Sequence, residues 1–333
     1  MIEIEYSNLH NKTHHPYEND INMIRENSHN RCSSGSLSTS KKLNIAICVS
    51  GQLRGWKKAL KSWKNLGLEG HNVTTIVHVW KGTGVTVPIP PKDERSLPEN
   101  FQKAYREVWN KLGAEKMYSR YSNFFSLWGA NETNVTYENL SKAYQSTQVT
   151  IEDDSVKPFV GMTNAEKMYY KISKCQEACD SLDLTFDLII RIRPDLEFTS
   201  DKKLDWNEVY RSSHMDNILY CESYTRYLFP NIGFSMTDHF AIASPTAMRA
   251  YTLAYEMTKK LSDKQTLFPK NLMAHTNVAY STLYNGINIE SVSLPCVLSP
   301  SYAPTSAMIK KALEADSKDR NDSFDRLLIK SLT

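Results

Sequence analysis

The feature that most constrains this chain is an apolar run that ends abruptly in charge, Phe-Asp-Leu-Ile-Ile-Arg-Ile-Arg-Pro-Asp-Leu-Glu-Phe at residues 186–198. Such a run predicts a buried strand of an α/β sheet. Arg191 and Arg193 are two residues apart, so a strand points both side chains to one face. Pro194 cannot donate a ladder hydrogen bond, so pairing should stop there. Asp195 then lies at the carboxyl edge of the sheet, where α/β proteins bind ligands.

A second apolar run, residues 43–49, predicts the first strand, and the loop Ser-Gly-Gln-Leu-Arg-Gly follows it at residues 50–55. A helix is expected from there to about residue 66. Backbone N–H groups at a strand-to-helix turn suit phosphate oxygens, and Arg54 adds a planar cation. The loop is neither a P-loop nor a Gly-x-Gly-x-x-Gly motif. A plain tight turn with a surface arginine therefore explains the spacing equally well.

The remaining apolar patterns alternate between strands and helices. Strands are predicted at residues 74–80, 217–221, 237–243 and 287–292, and helices at residues 99–112, 162–179, 245–261 and 271–284. This alternation predicts an α/β fold with a mostly parallel sheet and helices on both of its faces.

The pattern also divides the chain into three parts. Residues 1–42 are polar and rich in Asn, His and Ser, which predicts a disordered segment. The sheet-bearing domain is expected at 43–306, with a charged helical tail at 307–333. The polar stretch from residue 113 to about residue 158 is expected to be an insertion that shapes an acceptor pocket.

Composition narrows the function classes. The net charge is +3, from 40 basic and 37 acidic side chains, which is too balanced for a nucleic-acid-binding protein. No apolar run approaches the roughly 20 residues of a membrane-spanning helix, and the polar N-terminus does not resemble a signal peptide. The six cysteines follow no zinc-binding spacing and are expected to be reduced thiols. A cytoplasmic protein is therefore expected.

Three polar segments should meet at one edge of the sheet, namely residues 50–54, residues 191–195 and the Asp238-His239 pair. Cations and carboxylates together suit a diphosphate held with Mg²⁺ or Mn²⁺, whose preferred ligands are oxygens. Simpler explanations stand beside this one. Arg191 could pair with Asp187 or Asp195, Asp238 could cap a strand, and His239 could be packed in the core.

Five motifs carry a resemblance to a known group of proteins. They are Ile-Cys-Val-Ser-Gly-Gln-Leu-Arg-Gly (47–55), His-Val-Trp (78–80), Met-Tyr-Tyr-Lys-Ile (168–172), Phe-Asp-Leu-Ile-Ile-Arg-Ile-Arg-Pro-Asp (186–195) and Asp-His-Phe-Ala-Ile-Ala-Ser-Pro (238–245). Over residues 43–295 the chain resembles bacterial glycosyltransferase-like proteins of capsule and lipopolysaccharide gene clusters, related in pattern to the WavE-type proteins. The resemblance implies a GT-A-like, Rossmann-like fold.

In GT-A enzymes an Asp-x-Asp motif holds Mn²⁺ or Mg²⁺ on the donor diphosphate, and Arg193-Pro194-Asp195 stands at that place. The first aspartate is replaced by Arg193. Either Asp195 carries the metal with help from Glu197 or His275, or Arg193 neutralises the diphosphate and the metal is dispensable.

The resemblance also implies roles for other residues. Asp238, with His239 beside it, is the catalytic candidate, with Asp238 as the base that deprotonates the acceptor. Asp195 and His275 are the metal candidates. The candidates for binding the donor diphosphate are Ser50, Gly51, Gln52, Arg54, Arg191 and Arg193.

The expected function is transfer of a sugar from a nucleotide sugar to a surface polysaccharide or another glycan. Lipid-linked acceptors lie at the inner membrane face, so peripheral contact with that face belongs to the expectation, whereas nucleic acid does not. Two other functions fit the same sequence. One is transfer of another activated group for glycan decoration, and the other is glycan binding without catalysis through the aromatic stretch at residues 224–234.

Overall fold

The computed structural model of the chain describes residues 41–84, 87–90, 94–129, 134–201, 203–227, 233–262, 274–300, 303–320 and 322–332. The expectation of a disordered segment at residues 1–42 therefore falls almost entirely outside the described residues. So does the centre of the aromatic stretch at residues 224–234.

A seven-stranded sheet forms the centre of the fold, in the order β10-β6-β9-β4-β1-β2-β3. Its strands are β1 (Asn44–Gly51), β2 (Asn72–Trp80), β3 (Gln148–Glu152), β4 (Leu188–Ile192), β6 (Ile218–Cys221), β9 (Phe240–Ala243) and β10 (Asn288–Ser291). Strand β9 runs antiparallel to both of its neighbours, β4 and β6, while the other neighbouring pairs are parallel. The prediction of a mostly parallel α/β sheet is confirmed.

Two small antiparallel sheets accompany the central one. Strand β5 (Leu196–Phe198) pairs with β11 (Cys296–Leu298), and β7 (Tyr224–Tyr227) pairs with β8 (Gly233–Met236). The β4–β5 break falls at residues 193–195, where Pro194 was expected to stop the pairing.

The helices, in chain order, are α1 (Trp56–Ser62), α2 (Glu99–Arg120), α3 (Ser122–Gly129), α4 (Tyr137–Tyr144), α5 (Asn164–Asp180), α6 (Trp206–Met215), α7 (Pro245–Thr252), α8 (Ala254–Ser262), α9 (Ala274–Tyr284), α10 (Ser306–Asp316) and α11 (Ser323–Lys330). A 3-10 turn, Trp63–Leu66, continues α1.

Apolar side chains cover both faces of the central sheet. On one face, Ala46 and Ile189 of the sheet pack with Ile172 of α5 and Val278 of α9. On the other face, the sheet packs against α1, α4 and α6, and the buried side chains there include Ile190, Trp56 and Trp206. Helices therefore shield both faces, which is why β1 and β4 consist of almost unbroken apolar residues.

Local signals placed some helix ends accurately. Thr163 accepts a hydrogen bond from the backbone of Glu166, and the Glu166 side chain accepts one from the backbone of Thr163. This capping box starts α5 within two residues of the predicted position. Gly113 has a positive φ of 77° with a ψ of 165°, which is not helical and interrupts the helix next to its predicted end at residue 112. A second helical segment follows it at once, so α2 continues, kinked, to Arg120.

Other parts of the chain differ from the sequence-based prediction. The polar region before residue 158 contains α3, α4 and β3, and the segment after β5 contains α6. Helix α10 and helix α11 pack against α2 and α3 in a third apolar cluster that includes Phe101, Trp128, Ile309 and Leu328. The helices α3, α4 and α6 and the strand β3 were not predicted, because the partners they pack against lie far along the chain, whereas α10 and α11 fall in the segment where a helical tail was predicted.

Candidate functional site

A cavity of about 300 Å³ opens at the carboxyl edge of the central sheet. The end of β1, the end of β4 and the residues before β9 meet there, because neighbouring parallel strands end at the same edge. Helices α5 and α9 complete the wall. The lining residues are Ser50, Gly51, Gln52, Arg54, Trp80, Asn164, Ala165, Lys167, Met168, Arg191, Arg193, Asp238 and His275.

The structure brings most of the predicted site residues to this cavity. All six candidates for diphosphate binding line it, together with Asp238 and His275. His239 and Asp195 do not line it. The three polar segments thus converge in space, but each contributes only some of its side chains to the cavity.

Arg191 is a buried cation whose hydrogen-bond partners are neutral. Its Nε donates to Ser50 Oγ at 2.9 Å and its Nη2 to the Ser50 carbonyl at 3.3 Å, while Nη1 donates to the Asp238 carbonyl and, at 3.4 Å, to Tyr251 Oη. The side chain is only 2% exposed. The alternative in which Arg191 forms a salt bridge with Asp187 or Asp195 is therefore not what the structure shows.

Arg193 is shared between two carboxylates. Its Nε and Nη2 lie 2.9 Å from the two oxygens of Asp195, which is a bidentate pair. Its Nη1 lies 3.4 Å from Asp238 Oδ2. Since bidentate pairs fix both partners, Asp195 holds the guanidinium of Arg193 at the wall of the cavity.

Asp238 is 3% exposed and faces the cavity between cations. Its Oδ1 lies 3.3 Å from His275 Nδ1 on α9. Burial alone would raise the pKa of the Asp238 carboxyl, but the positive charges of Arg193 and Arg191, with smaller contributions from the two neighbouring histidines, outweigh burial and lower this pKa. Asp238 is therefore ionised at neutral pH.

The charges around the cavity favour an anion. Four cationic side chains line it, those of Arg54, Lys167, Arg191 and Arg193, against the lining carboxylate of Asp238, and Asp195, outside the lining, pairs with Arg193. Lys167 also pairs with Asp154 at 2.9 Å. A concave surface with this excess of positive charge, partly shielded from water, attracts phosphate-bearing ligands.

An aromatic side chain, Trp80, forms one wall of the cavity and is held firmly from behind. Tyr170 stacks on it at 6.2 Å between ring centroids, and Nζ of the buried Lys171 lies 3.8 Å from its ring centre. Lys171 also donates to Glu152 at 2.6 Å and to the Val79 carbonyl at 2.9 Å. These contacts fix the orientation of the Trp80 ring, which is only 2% exposed, at the wall of the cavity.

The supporting lysine itself is affected by burial. Burial lowers the pKa of Lys171 to about 8, and Glu152 offsets only part of that effect. The free-energy cost of burying charge falls mainly on the lysine, because the Lys171 side chain is 0% exposed, whereas the Glu152 side chain is 25% exposed. The imidazole of His78 lies 3.6 Å from Glu152 and is also buried, which with Lys171 nearby lowers its pKa to about 4. His78 is therefore a neutral, packed histidine.

His239 was predicted to act beside Asp238, but the structure pairs its side chain with Glu222 and leaves it out of the cavity lining. The His239 Nδ1 atom lies 2.5 Å from a Glu222 carboxylate oxygen. Together with Cys296 these residues form a small cluster of potential metal ligands. Burial, with Glu222 nearby, raises the pKa of the Cys296 thiol. His239 therefore belongs to a different group of side chains from the cavity.

The residues predicted to hold Mg²⁺ or Mn²⁺ do not form a suitable oxygen site. Asp195 is 2% exposed, and Arg193 occupies both of its carboxylate oxygens. His275 faces Asp238 instead. The third candidate, Glu197, binds Lys58 at 2.9 Å and Ser299 at 2.7 Å. A divalent ion at Asp195 would first have to displace a guanidinium, so this donor set does not fit the expected metal.

Five of the lining residues were not among the predicted site residues, namely Trp80, Asn164, Ala165, Lys167 and Met168. Trp80 ends a predicted strand, and Lys167 lies in the first turn of α5. Because the carboxyl end of β2 lies at the same edge as that of β1, the position of Trp80 could have signalled its role. Nothing in the local sequence of α5 indicates that its first turn faces the cavity.

Comparisons with known proteins are sparse. No protein-family model matches the chain, and no curated protein matches it. One solved structure to which it is similar is a putative glucose-1-phosphate thymidylyltransferase from Bacillus anthracis, in complex with a sucrose. The identity is 11%, the coverage is 85% of this chain and 98% of the other, and the TM-score is 0.28. A similarity this low carries no conclusion about activity.

Within the described ranges, no helix combines the length and the apolar character that crossing a bilayer requires.

Proposed function

We propose that the cavity binds the diphosphate of a nucleotide sugar and that the protein transfers the sugar to a hydroxyl group of a surface polysaccharide or another glycan. The observation that carries the proposal is the charge of the cavity. Four cationic side chains and one ionised carboxylate line about 300 Å³ at the carboxyl edge of a parallel sheet. This volume lies at the lower end of the range for ligand pockets, so it suits the diphosphate with part of its two substituents.

The proposed donor is held mainly by charge. Arg54, Arg191 and Arg193 neutralise the diphosphate, and the Ser50–Gln52 segment contributes polar atoms beside it. Trp80 is only 2% exposed and packs against Tyr170 and Lys171, so its part is to shape the wall of the cavity. Arg191 supports this assignment most directly, because its buried charge has neutral hydrogen-bond partners in the described structure, and a bound anion would compensate it.

The proposed reaction assigns Asp238 as the general base. The acceptor oxygen attacks the anomeric carbon of the donor, and its proton passes to the Asp238 carboxylate. The bond between that carbon and the phosphate oxygen breaks, and its electron pair leaves with the nucleoside diphosphate. The developing negative charge is stabilised by the arginines. A single displacement of this kind inverts the configuration of the sugar.

In this proposal, arginine charge takes the place of a divalent metal at the diphosphate. The bidentate Arg193–Asp195 pair supports that choice, because the aspartate at the expected metal position is already neutralised. Of the two possibilities left open by the sequence, the one in which Arg193 assumes the role of the metal is the better supported.

Titration calorimetry of the full chain with UDP-, GDP- and CMP-sugars, in the presence of Mn²⁺ or of EDTA, tests the proposal. At least one of these nucleotide sugars is expected to bind, and Arg54→Gln should weaken it about ten- to hundredfold, as expected for lost hydrogen bonds to a charged group. Lys58→Gln is the matched control, because Lys58 is 70% exposed and lies outside the cavity. Its affinity should equal that of the wild type.

Turnover distinguishes a transferase from a glycan-binding protein. Release of nucleoside diphosphate from the bound donor should fall about 10²- to 10⁴-fold in Asp238→Asn, which removes the base but keeps the shape of the side chain. Donor affinity should be largely retained. Absence of binding by every nucleotide sugar, or equal affinities in Arg54→Gln and the wild type, would refute the assignment of the cavity.

A further inference from the structure

Three side chains of different chemistry converge next to the central sheet but outside the cavity. Glu222 directly follows β6, His239 directly precedes β9, and Cys296 begins β11. One ligand atom from each, a carboxylate oxygen, a ring nitrogen and a sulfur, lies within 4.8 Å of the other two. Segments separated by 17 residues and more in the sequence therefore bring an oxygen, a nitrogen and a sulfur donor to one point.

The cluster is accessible to an ion. The Glu222 side chain is 28% exposed and the His239 side chain is 23% exposed. Cys296 is partly exposed, whereas the other described cysteines, Cys48, Cys175, Cys179 and Cys221, are buried. A buried thiol behaves as a small apolar group, but a partly exposed thiol beside an imidazole and a carboxylate has the surroundings of a metal ligand.

The geometry points to a transition-metal site of the zinc type at Glu222, His239 and Cys296. Zinc prefers nitrogen, sulfur and carboxylate ligands in a tetrahedron, with bond lengths of about 2.0–2.3 Å that place ligand atoms about 3.3–3.8 Å apart. The three ligand atoms lie within 4.8 Å of one another, which is close to that spacing. The 2.5 Å contact between His239 and Glu222 would open by about 1 Å as the ion enters between them. Three protein ligands leave the fourth position to water.

This site is separate from the proposed donor site and does not depend on it. Cys296 packs against the apolar cluster on one face of the sheet, whereas the cavity residues Ala165 and Met168 pack against the cluster on the other face. Its chemistry also differs, since a thiolate and an imidazole favour zinc over Mg²⁺ or Mn²⁺.

A bound ion would connect two parts of the fold. Cys296 belongs to β11, which pairs with β5, and β5 directly follows Asp195. Glu222 and His239 belong to the central sheet region. The ion would therefore fasten the β5–β11 pair to the edge of the sheet where the cavity opens, and it should raise the stability of the folded chain by mass action.

Zinc binding by the full chain tests the inference. Equilibrium dialysis followed by metal analysis should show one more equivalent of zinc per chain in the wild type than in Cys296→Ser or His239→Gln. The difference in zinc content between the wild type and a variant excludes any zinc bound by His10, His14 and His15, which lie outside the described residues. His214→Gln is the control, because His214 is exposed and bonds to the Asp187 carbonyl instead. It should bind as much zinc as the wild type.

Cobalt gives a second measurement that needs no variant. Co²⁺ in the wild type should produce an absorption band of thiolate-to-cobalt charge transfer, because Cys296 would be a direct ligand. Zinc binding that is equal in the wild type and both variants would overturn the inference. A cobalt complex without the thiolate band would overturn it as well, even if the variants failed to fold.

Discussion

Arg193 holds Asp195 with two parallel hydrogen bonds of 2.9 Å, although the two residues are separated only by Pro194. The pair occupies the turn between β4 and β5 at the carboxyl edge of the sheet. It neutralises the carboxylate that the sequence offered as a metal ligand, and it leaves Nη1 of Arg193 directed to Asp238. One short turn thus decides which charges face the cavity.

Donor binding is expected to be independent of divalent metal. If arginines neutralise the diphosphate, the dissociation constant of the best nucleotide sugar should change less than about twofold, which is less than 0.5 kcal/mol, between EDTA and Mn²⁺. Calorimetry under both conditions measures this. A strong gain in affinity with Mn²⁺ would contradict the role given to Arg193.

Asp195→Asn is expected to reduce the free energy of unfolding by about 3 kcal/mol, because it leaves a largely buried arginine with less compensation. The loss of stability should lie at the low end of the range for a broken buried ion pair, because Asp238 still forms an ion pair with Arg193. Urea unfolding at neutral pH measures it. Asp201→Asn, on an exposed residue, should change stability by less than about 0.5 kcal/mol.

Arg191→Met is expected to weaken both stability and binding. The substitution removes a buried cation that also stabilises the ionised Asp238 carboxylate, so the free energy of unfolding should fall by about 3 kcal/mol. Affinity for a nucleoside diphosphate should fall more than about tenfold, because a charged contact is lost. Arg249→Met, which removes an arginine that is 60% exposed, controls for loss of charge. Unchanged affinity in Arg191→Met would contradict the proposed site.

Asp238 should contribute to stability at neutral pH and lose that contribution in acid. Its pKa in the folded chain lies below the ordinary value of 3.8, so the contribution is complete above 3.8 and disappears as the pH falls through the lower folded value. The stability advantage of the wild type over Asp238→Asn should therefore shrink in urea unfolding between pH 6 and pH 3. An advantage that stayed constant over this range would show that the charge of Asp238 does not stabilise the fold.

Lys171 also makes the stability rise with pH, but it does so in the alkaline range. Its pKa is lowered from 10.5 to about 8 in the folded chain, so the unfolded chain binds more protons between these values and stability rises with pH. Relative to Lys171→Met, the wild type should gain about 2 kcal/mol between pH 7 and pH 10, since one pKa unit corresponds to about 1.4 kcal/mol. Urea unfolding at the two pH values measures the gain. Equal changes in both proteins would mean that Lys171 keeps its ordinary pKa.

Much of the architecture follows from local sequence patterns. The apolar runs that became β1, β2 and β4 are buried on both sides, and the Thr163–Glu166 capping box fixes the start of α5 through bonds within one turn. Such features depend on neighbouring residues alone. The antiparallel direction of β9 and the strands β5 and β11 were not predicted, because strand pairing depends on partners far along the chain.

The candidate site shows the same division. The sequence by itself determined which segments bring polar groups to the sheet edge, because parallel strands that end in loops end together. Only the tertiary structure decided the partners of most of those groups. The Arg193–Asp195 pair forms within one turn, but packing of distant segments surrounded Arg191 with neutral oxygens and placed His239 against Glu222 and Cys296. The reason is physical, since a charge interacts with whatever lies within a few ångströms, and for Arg191 and His239 long-range packing fixes that neighbourhood.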